Sequence, residues 1–217
     1  MLPTHALSGM ALALPVVAVA PEFAPVALVA GLLGGIVPDL DMYAGHRKTL
    51  HFPVYYTVLG AAATLAAILV PTSVTVTVAV FLLAAALHSV ADVFGSGLEL
   101  RPWEGTSDRA VYDHYRGTWI APRRLIRDDG SPGDLLLSIA LAIPLLLALD
   151  GPLQWAVVAA VAVGAVYTAL RRALADLAPV MVGLLPASAR PYVPDRYVSE
   201  PSLAEPGSDR SGQPVGR

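Results

Sequence analysis

"VTVTVAVFLLAAALHSVADV", residues 74–93, carries no charge until its last turns, where His88 and Asp92 appear. The hydrocarbon core of a bilayer needs about 20 residues of helix, with about 17 as a practical minimum. This run is long enough to cross by itself, and it reads as a transmembrane helix whose end carries two metal-ligand types. The whole chain agrees: 217 residues are 55% hydrophobic and 14% charged, with a mean hydropathy of +0.61, outside the ordinary soluble range. The reading is an integral membrane protein.

Working outward, further apolar blocks occupy residues 6–20, 24–37, 54–70, 135–149 and 153–170. The expected fold is therefore an all-α, polytopic transmembrane helix bundle of six membrane segments. The third block should span as easily as the fourth. The first two are short and interrupted by Pro15, Pro21 and Pro25, which leaves two forms open: a tilted pair, or a re-entrant hairpin packed inside protein. Gly31 and Gly35, four apart, would allow close helix packing there. The "AVA" at residues 18–20 has the form of a signal-peptide cleavage site. No positive charge precedes it and Pro21 follows it, so the segment, with His5, is expected to stay.

Six crossings put the N-terminus, residues 38–53, residues 94–134 and the C-terminal tail on one side. All 14 Lys and Arg residues fall there, while "PEFAP", "PTS" and "DGP" on the other side hold none. By the positive-inside rule the shared side is cytoplasmic, making a multi-pass cell-membrane protein with both termini in the cytoplasm. The organisation follows: membrane helices over 1–93, an interfacial lid over 94–134, two more helices over 135–185, and a Pro- and Ser-rich tail over 186–217, expected to be disordered.

The chemistry-bearing residues fall at one depth. His5 precedes the first block, Asp39 and Asp41 end the second, His46 and His51 lead into the third, and His88 and Asp92 close the fourth. Ionisable groups beside hydrocarbon are costly unless paired, so this convergence points to one site. A helix puts His88 and Asp92 of "HSVAD" on one face, where both can bind one ion or the carboxylate can orient the ring. In "PDLD", Asp39 and Asp41 can point the same way if the chain is extended; the plainer reading is a helix terminator followed by a loop carboxylate. Arg47 is placed either to meet an anionic substrate or to anchor topology. With no cysteine in the chain, thiolate sites and cysteine nucleophiles are excluded, and a metal must be held by His, Asp or Glu. The net charge of -3 gives no reason to expect a nucleic-acid partner. No Gly-rich phosphate loop or Ser nucleophile elbow is present, which narrows the chemistry to metal-activated water.

"THALSG" (4–9), "PDLD" (38–41), "HRKTLH" (46–51) and "HSVAD" (88–92), in this order, resemble the YdjM-like family of LexA-regulated, membrane-bound metal-dependent hydrolases. The resemblance runs to residue 95 and continues less specifically into "GSGLELRPWE". It departs in the third element, where Lys48 stands for the usual Gly, the Thr falls earlier and Phe52 replaces Ser; the histidine spacing is kept. That family is distantly similar to the zinc-dependent phospholipase C and single-strand nuclease superfamily, and the similarity implies a phosphoesterase. On this reading His5, Asp39, Asp41, His46, His51, His88 and Asp92 hold a divalent metal, Zn with Mn or Fe as alternatives. Asp39, Asp41 and Arg47 serve the reaction.

The lid, residues 94–134, mixes charge with Trp103, Tyr112, Tyr115 and Trp119, which suits headgroup depth, and it is expected to contain a helical turn of its own. Asp113 and His114 are further ligand candidates from above or simply solvated. Arg123, Arg124 and Arg127 form a basic cluster suited to anionic headgroups. The expected partners are membrane lipids and an anionic or lipid-linked substrate; the oligomeric state is open. Three functions compete: a metal-dependent hydrolase, a metal-ion or proton transporter using the same cluster as a station, and a structural protein in which the cluster ties helices.

Overall fold

The apolar blocks become helices. In the computed structural model, which describes residues 1–198, 70% is helical and strand is nearly absent, an all-α bundle. Helix α1 (Leu2–Leu12) continues past a turn at Ala13 into α2 (Leu14–Val19). Helix α3 (Ala24–Ile36) tightens into a 3-10 segment, Val37–Tyr43. Helices α4 (Pro53–Leu69) and α5 (Ser73–Ala91) form a hairpin, and α5 ends in a 3-10 turn, Asp92–Phe94. The strands β1 (Val111–Asp113) and β2 (Thr118–Ile120) follow, then α6 (Pro132–Ala148), α7 (Gly151–Gly183) and the short α8 (Asp195–Val198).

Four stretches are long and apolar enough to cross a bilayer: Leu2–Val19, Pro21–Tyr43, Ser73–Phe94 and Gly151–Gly183. They mark a membrane protein. The first two blocks thus make longer helices than their prolines suggest. Pro3 and Pro25 sit in first turns, where the missing N–H has no partner to lose, and so they start helices instead of breaking them. The third block is the shorter one, since Pro53–Leu69 has 17 residues against 22 for Ser73–Phe94. Helix α5 instead begins with a capping box, in which the Thr72 hydroxyl accepts from the Thr75 N–H and the Thr75 hydroxyl accepts from the Thr72 N–H.

Small residues set the packing of α1, α3 and α5. Gly9 and Gly31 meet backbone to backbone, Gly34 lies on the Phe81 carbonyl, and Gly35 on the His5 carbonyl; a Cβ at any of them would collide with backbone. The close approach expected at Gly31 and Gly35 is therefore realised, and it brings His5 beside α3. Leu7, Met10, Leu28, Val80, Leu145 and Val157 fill the core below. The outer faces stay apolar: Leu147 is 84% and Trp155 70% exposed, surfaces that suit lipid and not water.

The lid holds the expected helical turn, Pro102–Glu104, and also a β-hairpin, pairing Tyr112 with Trp119. Asp113 accepts from the N–H groups of Tyr115 and Arg116 at 2.9 and 3.2 Å, so its carboxylate shapes the turn. The part of the tail that the structure describes, residues 186–198, is not the featureless segment its composition suggests. It carries a 3-10 turn, Arg190–Tyr192, and α8, and Arg196 and Tyr197 return to line the cavity above the helix ends. Aromatic and guanidinium groups give it something to pack with. The remainder of that tail, 199–217, lies outside the described residues.

Candidate metal centre

Four donor-bearing side chains meet where α3 and α5 end and α4 begins. One ligand atom each from Asp39, His51, His88 and Asp92 lies within 4.8 Å of the others, and His51, His88 and Asp92 are buried. His88 Nε2 is 3.4 Å from Asp39 Oδ1 and 3.7 Å from Asp92 Oδ2, while His51 Nε2 is 3.7 Å from Asp39 Oδ1 and 3.2 Å from Asp92 Oδ2. Tetrahedral ligands at about 2.1 Å from a metal stand roughly 3.4 Å apart, so these spacings fit one divalent ion.

The outer partners fix which ring nitrogens face inward. His88 Nδ1 donates to the Gly35 carbonyl at 2.7 Å, and His51 Nδ1 donates to Asp41 Oδ2 at 3.0 Å. A carbonyl and a carboxylate accept only, so each neutral ring presents its Nε2 lone pair to the same point. His51 Nε2, His88 Nε2 and Asp92 Oδ2 are buried without a hydrogen-bond partner. Orphaned lone pairs of this kind are costly in a folded interior unless something satisfies them, and a cation does so. The residues present therefore fit a metal. Burial works against charge on His51, but the hydrogen bond to Asp41 and the neighbouring Asp92 carboxylate outweigh it and raise the imidazole to about 9. The surroundings favour positive charge here, carried by the ring or by an ion.

Asp41 is held one layer out. The chain at "PDLD" is a 3-10 helix and not extended, so Asp39 and Asp41 point to different partners. Asp41 accepts from His46 Nδ1, the Arg47 N–H, the Leu50 N–H and His51 Nδ1, at 3.0, 3.2, 3.0 and 3.0 Å. It organises the 44–51 loop; His46 binds it from outside the four-donor group, its ring edge-on to that of His51 with centroids 5.8 Å apart. His5 stacks on His88 with ring centroids 3.9 Å apart, and its Nε2 lies 3.0 Å from Asp92 Oδ1. Asp92 thus turns one oxygen to the cluster and the other to His5.

Arg47 is not an exposed anchor, being 3% exposed with φ +58°. Its Nε is 3.3 Å from Asp92 Oδ2, its Nη1 donates to the Ser96 carbonyl at 2.6 Å and its Nη2 to Asp129 Oδ2 at 3.0 Å. Burial opposes the Asp129 carboxylate's charge, but nearby cations, Arg47 among them, outweigh it and hold the group below the usual range. No family model, curated protein or solved structure matches the chain. The site is therefore read from its own geometry.

Two sequence candidates lie elsewhere. His114 packs against Phe52 with the rings tilted by 36° and centroids 4.4 Å apart, and Asp113 is spent on its turn. Arg124 donates to the carbonyls of Gly105 and Ser107, bracing the lid, so the basic cluster is not wholly free for headgroups. Sequence reading missed Asp129 and Asp134. Asp134 accepts from the Gly130 N–H at 2.8 Å, and the Thr4 hydroxyl, hydrogen-bonded to Asp134, lies 2.7 Å from the Ser138 hydroxyl, a buried polar tie between α1 and α6. In "RDDGSPGD" both look like solvated loop acids; the only available signal was their place beside the membrane boundary.

Proposed function

We propose that this protein is a metal-dependent hydrolase of phosphate esters, working at the cytoplasmic face of a membrane it crosses several times. The observation that carries the reading is the convergence of Asp39, His51, His88 and Asp92, the last three each with a buried, unpartnered ligand atom, and with both imidazoles fixed from behind. An ion held there supplies an activated water and offsets charge developing on a phosphoryl group. The chain's own residues do the rest. Asp41 holds His51 in one orientation, the Gly35 carbonyl does the same for His88, and Arg47 offsets the negative charge of Asp92 and Asp129 from the side of the cavity. That cavity, about 430 Å³, is lined by His5, Asp39, Arg47 and Asp92 below and by Leu100, Tyr167 and Tyr197 around, enough for a small phosphoester.

The ordering of the 14 Lys and Arg residues supports a cytoplasmic orientation for this end. The resemblance of "PDLD", "HRKTLH" and "HSVAD" to metal-dependent hydrolases supports the reaction class. Against a transport station stands the placement of charge: among the described residues every buried charged group and buried histidine, from His5 to Asp134, belongs to this end. A track across the bilayer needs more.

Metal content of the detergent-purified protein tests the reading, with Asp39→Ala and His88→Ala as comparators and bis(p-nitrophenyl) phosphate as substrate. We expect bound Zn or Mn in the native chain, its loss in both variants, and hydrolysis that tracks the metal. A chain that stays metal-free after incubation with Zn and Mn would sink the proposal.

A further inference from the structure

Two guanidinium groups line the cavity beside the metal centre, Arg47 and Arg196, and they are placed very differently. Arg47, the residue the sequence offers for an anionic substrate, spends all three nitrogens on Asp92, the Ser96 carbonyl and Asp129. It has no fork left for a ligand. Arg196 comes from α8, far outside the stretch that resembles metal-dependent hydrolases. Among the described residues it forms no ion pair, its Nε is buried without a hydrogen-bond partner, and its Nη groups donate to no acceptor. The guanidinium lies over the Tyr197 ring, 4.9 Å from its centroid, a contact that steadies the group without using its donors.

The other charges around this cavity are accounted for. Asp39 and Asp92 turn to the donor cluster, and Asp129 is shared by Arg47 and the Met1 ammonium. Glu99 lies against Gly97, where a Cβ would collide with its Oε2, and both of its oxygens are buried. With a divalent ion offsetting Asp39 and Asp92, the charged side chain left to receive an oxyanion is Arg196. The fold delivers it there through a second arginine. Just past the end of α7, Arg190 reaches back, its Nε donating to the Leu185 carbonyl and its Nη2 to the Gly183 carbonyl, both at 3.2 Å. A cation is favourable on the unpaired carbonyls of a helix C-terminus, and here it turns the chain around. Helix α8 then packs against α7, with the Tyr197 N–H donating to the Pro194 carbonyl at 2.9 Å.

We infer that Arg196 is the anion-binding residue of the cavity, gripping the oxygens of a phosphoryl group with its Nη donors. A guanidinium fork matches two such oxygens at once. The inference rests on the hydrolase reading for the phosphoryl group, and on Arg196 itself for the anion. The C-terminal segment is then a wall of the binding site, and Arg190 is the positioning residue that folds it into place.

Binding tests this without requiring turnover. The full chain, carrying its purified metal in detergent, is titrated calorimetrically with phenylphosphonate, an anion that is not hydrolysed. Arg196→Ala should weaken binding by about ten-fold or more, as loss of a charge-assisted contact does. Arg196→Lys, which keeps the charge and loses the fork, should recover part of that loss. Metal content and the thermal unfolding midpoint should stay at native values in both, because Arg196 pairs with none of the four metal donors. Affinity within about two-fold of native in Arg196→Ala overturns the inference. So does a native chain that does not bind phenylphosphonate, or a loss of affinity that comes with lost metal or a lowered midpoint, which would make Arg196 a structural group. Failure of the hydrolase reading looks different. Arg196-dependent binding without hydrolysis of bis(p-nitrophenyl) phosphate removes the enzyme and keeps the anion site, whereas hydrolysis with kcat and KM unchanged in Arg196→Ala keeps the enzyme and removes Arg196 from it.

Discussion

His88 and His51 deliver the same atom to the same place by unlike means. His88 stands on a long helix, and its outer nitrogen is held by a backbone carbonyl, that of Gly35, in a helix pair packed without side chains. His51 stands in a loop, and its outer nitrogen is held by a side chain, Asp41, which also ties three other donors. One ligand is positioned by the fold and the other by a removable group. Mutation should separate them.

Asp92 serves both histidines, and its loss should have the largest effect. Asp92→Ala removes a donor and leaves Arg47 a buried guanidinium with one carboxylate fewer. We expect bound metal to vanish in elemental analysis and stability to fall by about 3 kcal/mol or more in thermal unfolding. The isosteric Asp92→Asn should keep more of the fold and still lose the metal.

Gly35→Val attacks the helix-borne ligand through the fold. The new side chain meets the His5 carbonyl and Ala6 Cα, so α1 and α3 must separate. Overpacking of this kind costs roughly 1–3 kcal/mol and sometimes more, and the unfolding midpoint should drop accordingly. Metal retained at native affinity in this variant would show that His88 does not need its carbonyl.

Asp41→Ala attacks the loop-borne ligand instead. Outer partners of metal-bound histidines contribute about 10–100-fold in affinity, and a competition titration with a chelating dye should register that loss. The helix core, unfolding as before, should change less than in Gly35→Val. His46→Ala comes last. His46 binds Asp41, whose other three donors remain, and meets His51 only edge-on, so metal affinity should shift by less than about three-fold, close to the ±0.5 kcal/mol of an ordinary surface change. A larger effect would move His46 into the cluster.

The helices were legible because lipid solvent makes their pattern blunt: "FLLAAAL" needs no partner to declare itself. "HSVAD" was legible because helical geometry is local, and it placed His88 and Asp92 together as found, 3.7 Å apart. The roles of Asp39 and Asp41 were not. Two residues of spacing mean one thing in extended chain and another in the 3-10 helix that forms here, and tertiary contacts with the 46–51 loop decide between them. Arg47 was legible as a charge but not as a partner of Asp129, 82 residues away. The hairpin within the lid was the least visible, since short strands carry little pattern and Asp113 resembles any exposed loop acid.

The hairpin is fastened beside the site: the Tyr112 N–H donates to the Arg47 carbonyl at 3.0 Å, the Lys48 ammonium lies over the Tyr112 ring, and His114 packs against Phe52. Arg47 in turn braces Asp92. Lifting the hairpin therefore tugs on the same residue that steadies the donor cluster. A change in the lid thus reaches the donor cluster through the backbone of one residue, without altering a donor atom.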